Sequence, residues 1–96
     1  MIVEYIRYTI DTPRQPAFEA AYARARGALE ASEHCLRFEL ARASEDPSSY
    51  VVRIEWDSLE GHLTGFRSSP QFRAFFEAVG PYVHDIQEMR DYELVS

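Results

Sequence analysis

The chain has 96 residues, enough for one domain spanning 1–96 with a limited core and no room for a second. Ten basic residues against sixteen acidic ones give a formal charge of −6, the wrong sign for a surface that binds nucleic-acid phosphates. At 46% hydrophobic and 14% aromatic the chain is too apolar to stay disordered, and six Phe, six Tyr and one Trp must cover a core, an oligomer interface or an apolar ligand.

Ile2 to Ile10 is dense in β-branched and aromatic residues and predicts a first strand, with Ile2, Ile6, Tyr8 and Ile10 on one face and Val3, Tyr5, Arg7 and Thr9 on the other. Glu4 and Arg7 break the apolar run that a signal peptide needs, and the single Cys35 cannot close an internal disulfide, so a cytoplasmic address is expected. No window approaches the roughly 18 apolar residues of a membrane span, and no Gly-rich phosphate loop or paired-cysteine motif occurs. Asp11, Thr12, Pro13 and Pro16 supply turn and helix-start chemistry. Phe18, Ala21, Tyr22, Ala25, Ala28 and Leu29 then follow at the spacing of an amphipathic helix that runs to about Ala31.

Leu36, Phe38 and Leu40 alternate with Arg37, Glu39 and Ala41, and Tyr50, Val52, Ile54 and Trp56 alternate with Val51, Arg53 and Glu55. These two half-buried strands flank the polar breaker Ser44 to Ser48 and predict an antiparallel hairpin. Asp57 or Ser58 can cap the next helix, Asp57 and Glu60 having capping-box spacing, and a short helix is expected from about Ser58 to Phe66. Ser69 and Pro70 start a third helix with a Phe72, Phe75, Phe76 and Val79 stripe, ended by Gly80 and Pro81. From Tyr82 to about Val95 a last strand is expected, with Ile86, Glu88, Arg90, Tyr92 and Leu94 on one side.

The order β-α-β-β-α-α-β predicts an α+β domain of the ferredoxin-like, split βαβ kind: a four-stranded antiparallel sheet with helices on one face. Its open face carries charges of both signs (Arg37, Glu39, Arg53, Glu55), suited to water or to a second copy of itself, and a chain this small gains from pairing, so a homodimer is expected. Tyr5, Tyr8, Tyr82 and Tyr92 lie on or beside the first and last strands, where their hydroxyls can reach such a seam.

This element order, with the segment IEWDSLEGHLTGFRSSPQF, resembles the antibiotic biosynthesis monooxygenase family of dimeric α+β barrels. The family pattern ends the third strand with an aromatic, usually Trp, then has a short acidic helix start, often a His, a Ser-rich break and a Phe on the next helix. Trp56, Asp57 to Glu60, His62, Ser68 with Ser69, and Phe72 match it. The family includes cofactor-independent monooxygenases that oxidise phenolic polyketides or quinols with molecular oxygen, haem-degrading proteins, and members with no catalytic role. In the polyketide-oxidising branch the site lies between sheet and helices, and the resemblance carries its roles to Trp56, His62 and Arg73. His62 replaces a phenol there, and Val52 stands where that branch has an Asn. In the haem-degrading branch the axial His aligns near Phe76, which cannot ligate iron, and the first-strand Asn aligns near Ile6 or Arg7, so no haem is expected.

The resemblance therefore implies oxidation of a small aromatic molecule, quinol or polyketide-like, without a cofactor. The alternatives are a non-catalytic ligand-binding or accessory module that partners a haem or redox protein, and a purely structural dimerisation unit. For oxidation, a base removes a phenol proton, the anion passes an electron to oxygen, and the radical pair recombines in a dry pocket. His62 is the candidate base, and Arg73 the candidate for holding an oxyanion, though helical spacing also lets Arg73 face solvent and pair with Glu77. Trp56 fills the gap between sheet and helix with ligand stacking as an added role. Phe38, Phe66, Phe72, Phe75 and Phe76 with Tyr22 either line an apolar substrate cavity or simply fill the core. His34 and His84 lie near element ends, and Cys35 reads as a small buried hydrophobe. His84 and Asp85 alone are too few for a metal site, and no metal is expected.

Overall fold

A computed structural model describes residues 1–96. In chain order it contains β1 (Ile2–Thr9), α1 (Gln15–Glu30), β2 (Cys35–Arg42), β3 (Ser49–Trp56), α2 (Pro70–Val79) and β4 (Ile86–Glu93). Short 3₁₀ segments lie at Thr12–Arg14 and Gly80–Asp85, and a π-helical turn at Gly61–Phe66. The strands form one antiparallel sheet in the order β2-β3-β1-β4, so β1 and β3 are central and β4 is an edge. This is the ferredoxin-like arrangement expected from the element order, hairpin included.

Register decides which side chains meet the helices. Ile2, Glu4, Ile6 and Tyr8 of β1 stand opposite Trp56, Ile54, Val52 and Tyr50 of β3 and share their face. The core cluster joins these apolar residues to Phe18, Tyr22, Ala25 and Leu29 of α1 and to Phe66, Phe75 and Val79. Each large side chain buried in this way contributes roughly 1.5–3 kcal/mol. Ser69 caps α2 as expected, its hydroxyl accepting from the Phe72 N–H at 3.3 Å.

Four local expectations change. The helix expected over 58–66 forms from Leu59, but it runs as a π-turn from Gly61 and lacks the Asp57 and Glu60 capping box: Asp57 bonds the His34 ring at 2.9 Å, and the Ser58 hydroxyl accepts from the Gly61 N–H at 2.9 Å. The last strand starts only at Ile86, because Gly80 and Pro81 lead into a 3₁₀ segment, and a register shift between Arg7 and Tyr8 puts Ile86 on the helix-facing side while Glu88, Arg90 and Tyr92 take the open one. A second shift, between Cys35 and Arg37, turns Leu36 out, 57% exposed, and leaves Cys35 half-buried opposite Trp56. Tyr8 does not reach the open face; its hydroxyl is buried 2.7 Å from that of Tyr22, and Tyr82 packs on Phe18.

The open face does carry Tyr5 and Tyr92, in edge-to-face contact at 5.4 Å. Arg53 there pairs with Glu55 and Glu39 and donates to the Tyr5 hydroxyl. No helix is long and apolar enough to cross a membrane.

Candidate functional site

At one end of the helix-facing side the apolar surface is interrupted by three titratable groups. Glu4 projects from the centre of β1 and is 3% exposed; its partner across the β1–β4 ladder is Asp91, and His62 comes down onto both from the π-turn. The His62 ring lies parallel to Trp56 with centroids 4.6 Å apart. Its Nε2 is 3.2 Å from Glu4 Oε1, and its Nδ1 hydrogen-bonds Asp91 Oδ2 at 3.2 Å. The Trp56 indole N–H donates to Glu4 Oε1 at 3.0 Å. Asp91 Oδ1, 3.1 Å from the same His62 nitrogen, is buried without a donor of its own.

The π-turn places the imidazole. Gly61 and Gly65, four residues apart, leave a bare strip of backbone on its outer side, and the His34 ring lies in that strip: a β-carbon on Gly65 would overlap the ring, and one on Gly61 would overlap Asp57. Asp57 holds the His34 ring at Nδ1. With its outer side clasped in this way, the turn directs His62 and Phe66 inward.

Burial sets the proton balance. It pushes the Glu4 carboxyl up to about 7, with the Trp56 hydrogen bond and Arg67 pulling down and Asp91 adding to the rise. Burial also lowers His62 below the usual imidazole range, against the opposing pull of Asp91. Both directions favour the neutral forms, a carboxylic acid on Glu4 and an uncharged imidazole on His62. The three ligand atoms lie within 4.8 Å of one another, a donor set that could hold an ion; it is assembled from three distant segments and shows no motif spacing in the sequence.

The candidates read from the sequence divide into three places. His62 and Trp56 meet in the cluster. Tyr22, Phe38 and Phe66 sit in or against the core, Tyr22 stacked on Phe38 and Phe66 packed on Trp56 at 4.8 Å. Phe72, Arg73 and Phe76 instead line a surface groove of about 500 Å³ with Arg67, Ser68, Ser69 and Glu77, and Phe76 is half exposed. Two ring contacts, Phe72 to Phe66 and Phe66 to Trp56, separate that groove from the stack, so Arg73 and His62 do not share a centre. Glu4 and Asp91 were missed. The signal for Glu4 was parity: it stands between Ile2 and Ile6 on the inward face of β1. Asp91 gave no comparable signal, since its strand begins after an irregular pairing.

The model of the antibiotic biosynthesis monooxygenase family matches residues 1–78. The chain belongs to that family. The uncharacterized protein YczJ of Bacillus subtilis is 26% identical over 73 residues, which are 76% of this chain and 77% of YczJ. A solved Bordetella bronchiseptica protein assigned to the same family is 26% identical, with a TM-score of 0.80 over 99% of this chain and 97% of its own. SnoaB, a cofactor-independent oxygenase from Streptomyces nogalater, superposes with a TM-score of 0.80 over 99% of this chain and 93% of its own; at 17% identity that likeness is one of fold.

Proposed function

We propose that this monooxygenase-family protein is a cytoplasmic homodimer that oxidises a small aromatic hydroxyl compound, a quinol or polyketide-like phenol, with molecular oxygen and no cofactor. The observation that carries the reading is the imidazole held between two carboxylates against an indole, in an interior built mostly of hydrocarbon and aromatic rings. Such a site can accept a proton from a phenol without an ion. It also keeps the resulting anion in a weakly polar setting, where electron transfer to oxygen is less hindered by hydration. Membership of the family and the fold of SnoaB agree with this chemistry. Its test is oxygen uptake with a panel of quinols and anthrones. Wild type should consume oxygen with each accepted substrate and His62→Ala at least tenfold more slowly; equal rates would remove His62 from the mechanism, and none at all in wild type would overturn the oxygenase reading.

The second reading is a binding or accessory module that partners a haem or redox protein. The groove beside α2 favours it: Phe72 and Phe76 give aromatic walls and Arg67 and Arg73 give charge, suited to an aromatic carboxylate. Titration with 1-naphthoate, followed by calorimetry in wild type and Arg73→Gln, separates the two. Tight, Arg73-dependent binding without oxygen uptake supports the module.

A further inference from the structure

His34 lies on the outer side of the π-turn, apart from the buried cluster, and its two ring nitrogens are not equivalent. Nδ1 is 2.9 Å from Asp57 Oδ2. An ionised carboxylate only accepts, so Nδ1 carries the hydrogen and the neutral ring keeps its lone pair on Nε2. A β-carbon on Gly65 would lie 2.4 Å from Nε2, 2.6 Å from Cδ2 and 3.1 Å from Cε1. A point facing the nitrogen edge-on would be equally far from the two carbons and well beyond its distance to the nitrogen, so these values put Gly65 under the ring face. The lone pair lies in the ring plane and is therefore not blocked by the turn. Glu33 Oε1 stands 3.6 Å from Nε2, too far for a hydrogen bond. The ring is reachable, its side chain 27% exposed between two small clefts, one of about 220 Å³ shared with Glu33 and Gln71 and one of about 290 Å³ shared with Glu60. Neither cleft is lined by an arginine, and Glu33, Glu60 and Asp57 make the surroundings of Nε2 attractive to a cation.

We propose that His34 Nε2 and the Glu33 carboxylate form a surface zinc site, with Asp57 as the positioning residue that orients the imidazole. Two ligands each roughly 2.1 Å from a tetrahedral ion stand about 3.4 Å apart, within a few tenths of the 3.6 Å between these atoms. An imidazole nitrogen in the donor set selects a zinc-class ion over calcium or magnesium, which take oxygen ligands. A carboxylate on the far nitrogen of a ligating histidine fixes both its tautomer and its direction, the part that Asp57 plays here. Gln71, in the same cleft as Glu33, can offer its amide oxygen, and water fills the remaining positions. The site goes beyond the oxygenase reading and does not depend on it. Glu33 and His34 join α1 to β2 while Asp57 leads from β3 into the π-turn, so an ion bound there stabilises the folded chain from outside the turn.

The test is zinc sulfate titrated into chelator-treated protein at pH 7.5 against a colorimetric zinc indicator. Wild type should bind one zinc per chain. His34→Gln should bind at least tenfold more weakly and Asp57→Asn about tenfold more weakly. Glu33→Gln should weaken binding several-fold, and it alters a side chain 88% exposed, so it tests the ligand without disturbing the fold. In the unsubstituted protein, ¹⁵N NMR of the imidazoles should show the largest zinc-dependent shift at His34 Nε2, a measurement that needs no variant. The thermal midpoint should rise with zinc in wild type and stay level in His34→Gln. A wild-type chain that takes up no zinc, equal uptake by His34→Gln, or a larger shift at a His62 nitrogen, which would put the ion in the buried set, each overturns the assignment.

Discussion

Glu4 and Tyr8 lie four residues apart on the same face of β1, both almost wholly enclosed, and their surroundings could hardly differ more. Around Tyr8 the polar atoms close on themselves. Its hydroxyl and that of Tyr22 satisfy each other at 2.7 Å inside a nest of rings from Phe18, Tyr50 and Phe75, and burial lifts Tyr8 to about 12 and Tyr22 higher still. Around Glu4 the polar atoms outnumber their partners: two carboxylates and an imidazole share too few protons, and one oxygen is left over. A closed pair is structure. An open set is a place where something else can bind.

The comparison can be broken hardest at Trp56, which belongs to both regions as a core ring and as the donor to Glu4. Trp56→Ala should cost about 3–5 kcal/mol in chemical denaturation. Trp56→Phe should cost less and, by removing the hydrogen bond that pulls Glu4 down, should raise the Glu4 pKa further in a carboxyl NMR titration. A Trp56→Phe protein with an unmoved Glu4 would mean that the indole N–H does not govern the cluster.

The next effect is a pH dependence that only the open end should show. A free Glu titrates near 4.5 and folded Glu4 near 7, so the folded state binds the extra proton between those values. The associated stability is fully present below about 4.5 and is lost as pH rises through 7, on the order of 3 kcal/mol in all. His62, lowered by burial, runs the other way below its ordinary value of 6.5. The clearest window is therefore pH 6.5 to 8, where denaturation midpoints should fall in wild type and stay level in Glu4→Gln. A parallel fall in both proteins would place the titrating group elsewhere.

Gly65→Ala tests the clasp from outside. The new β-carbon overlaps the His34 ring and should destabilise by about 1–3 kcal/mol, with partial recovery in the double variant that also carries His34→Ala. Tyr8→Phe sharpens the closed end. It strands the Tyr22 hydroxyl and should cost about 1–2 kcal/mol in chemical denaturation. The smallest effect belongs to Phe76→Ser on the half-exposed wall of the groove, expected within about 0.5 kcal/mol of wild type in the same denaturation series.

Periodicity and punctuation were enough to place every strand and helix of the sheet and its cover. Alternation in Tyr50 to Trp56 marked β3, and Ser69 with Pro70 marked the start of α2. Two of the errors fall where a strand changes register. Leu36 and Ile86 each lie beside an irregular pairing, and a one-residue slip sends a side chain to the opposite face with no change in composition. The site was half legible. Trp56 and His62 are close in sequence and could be associated, whereas Glu4 and Asp91 are joined only by the pairing of the first strand with the last. The separation of Arg73 from His62 was equally hidden, because it depends on the rings of Phe66 and Phe72 standing between them.

The π-turn carries one imidazole on each side of a single layer of backbone, His62 indoors and His34 at the surface. Any change in how the inner ring is held must be taken up by a loop that is already wedged from outside and has no slack. The outer ring is therefore a gauge. Its proton resonances, accessible in the ligand-free protein and remote from any substrate, should move in step with events at the buried carboxylates, and so reveal occupancy of the interior without a chromophore, an isotope on the ligand or a catalytic turnover.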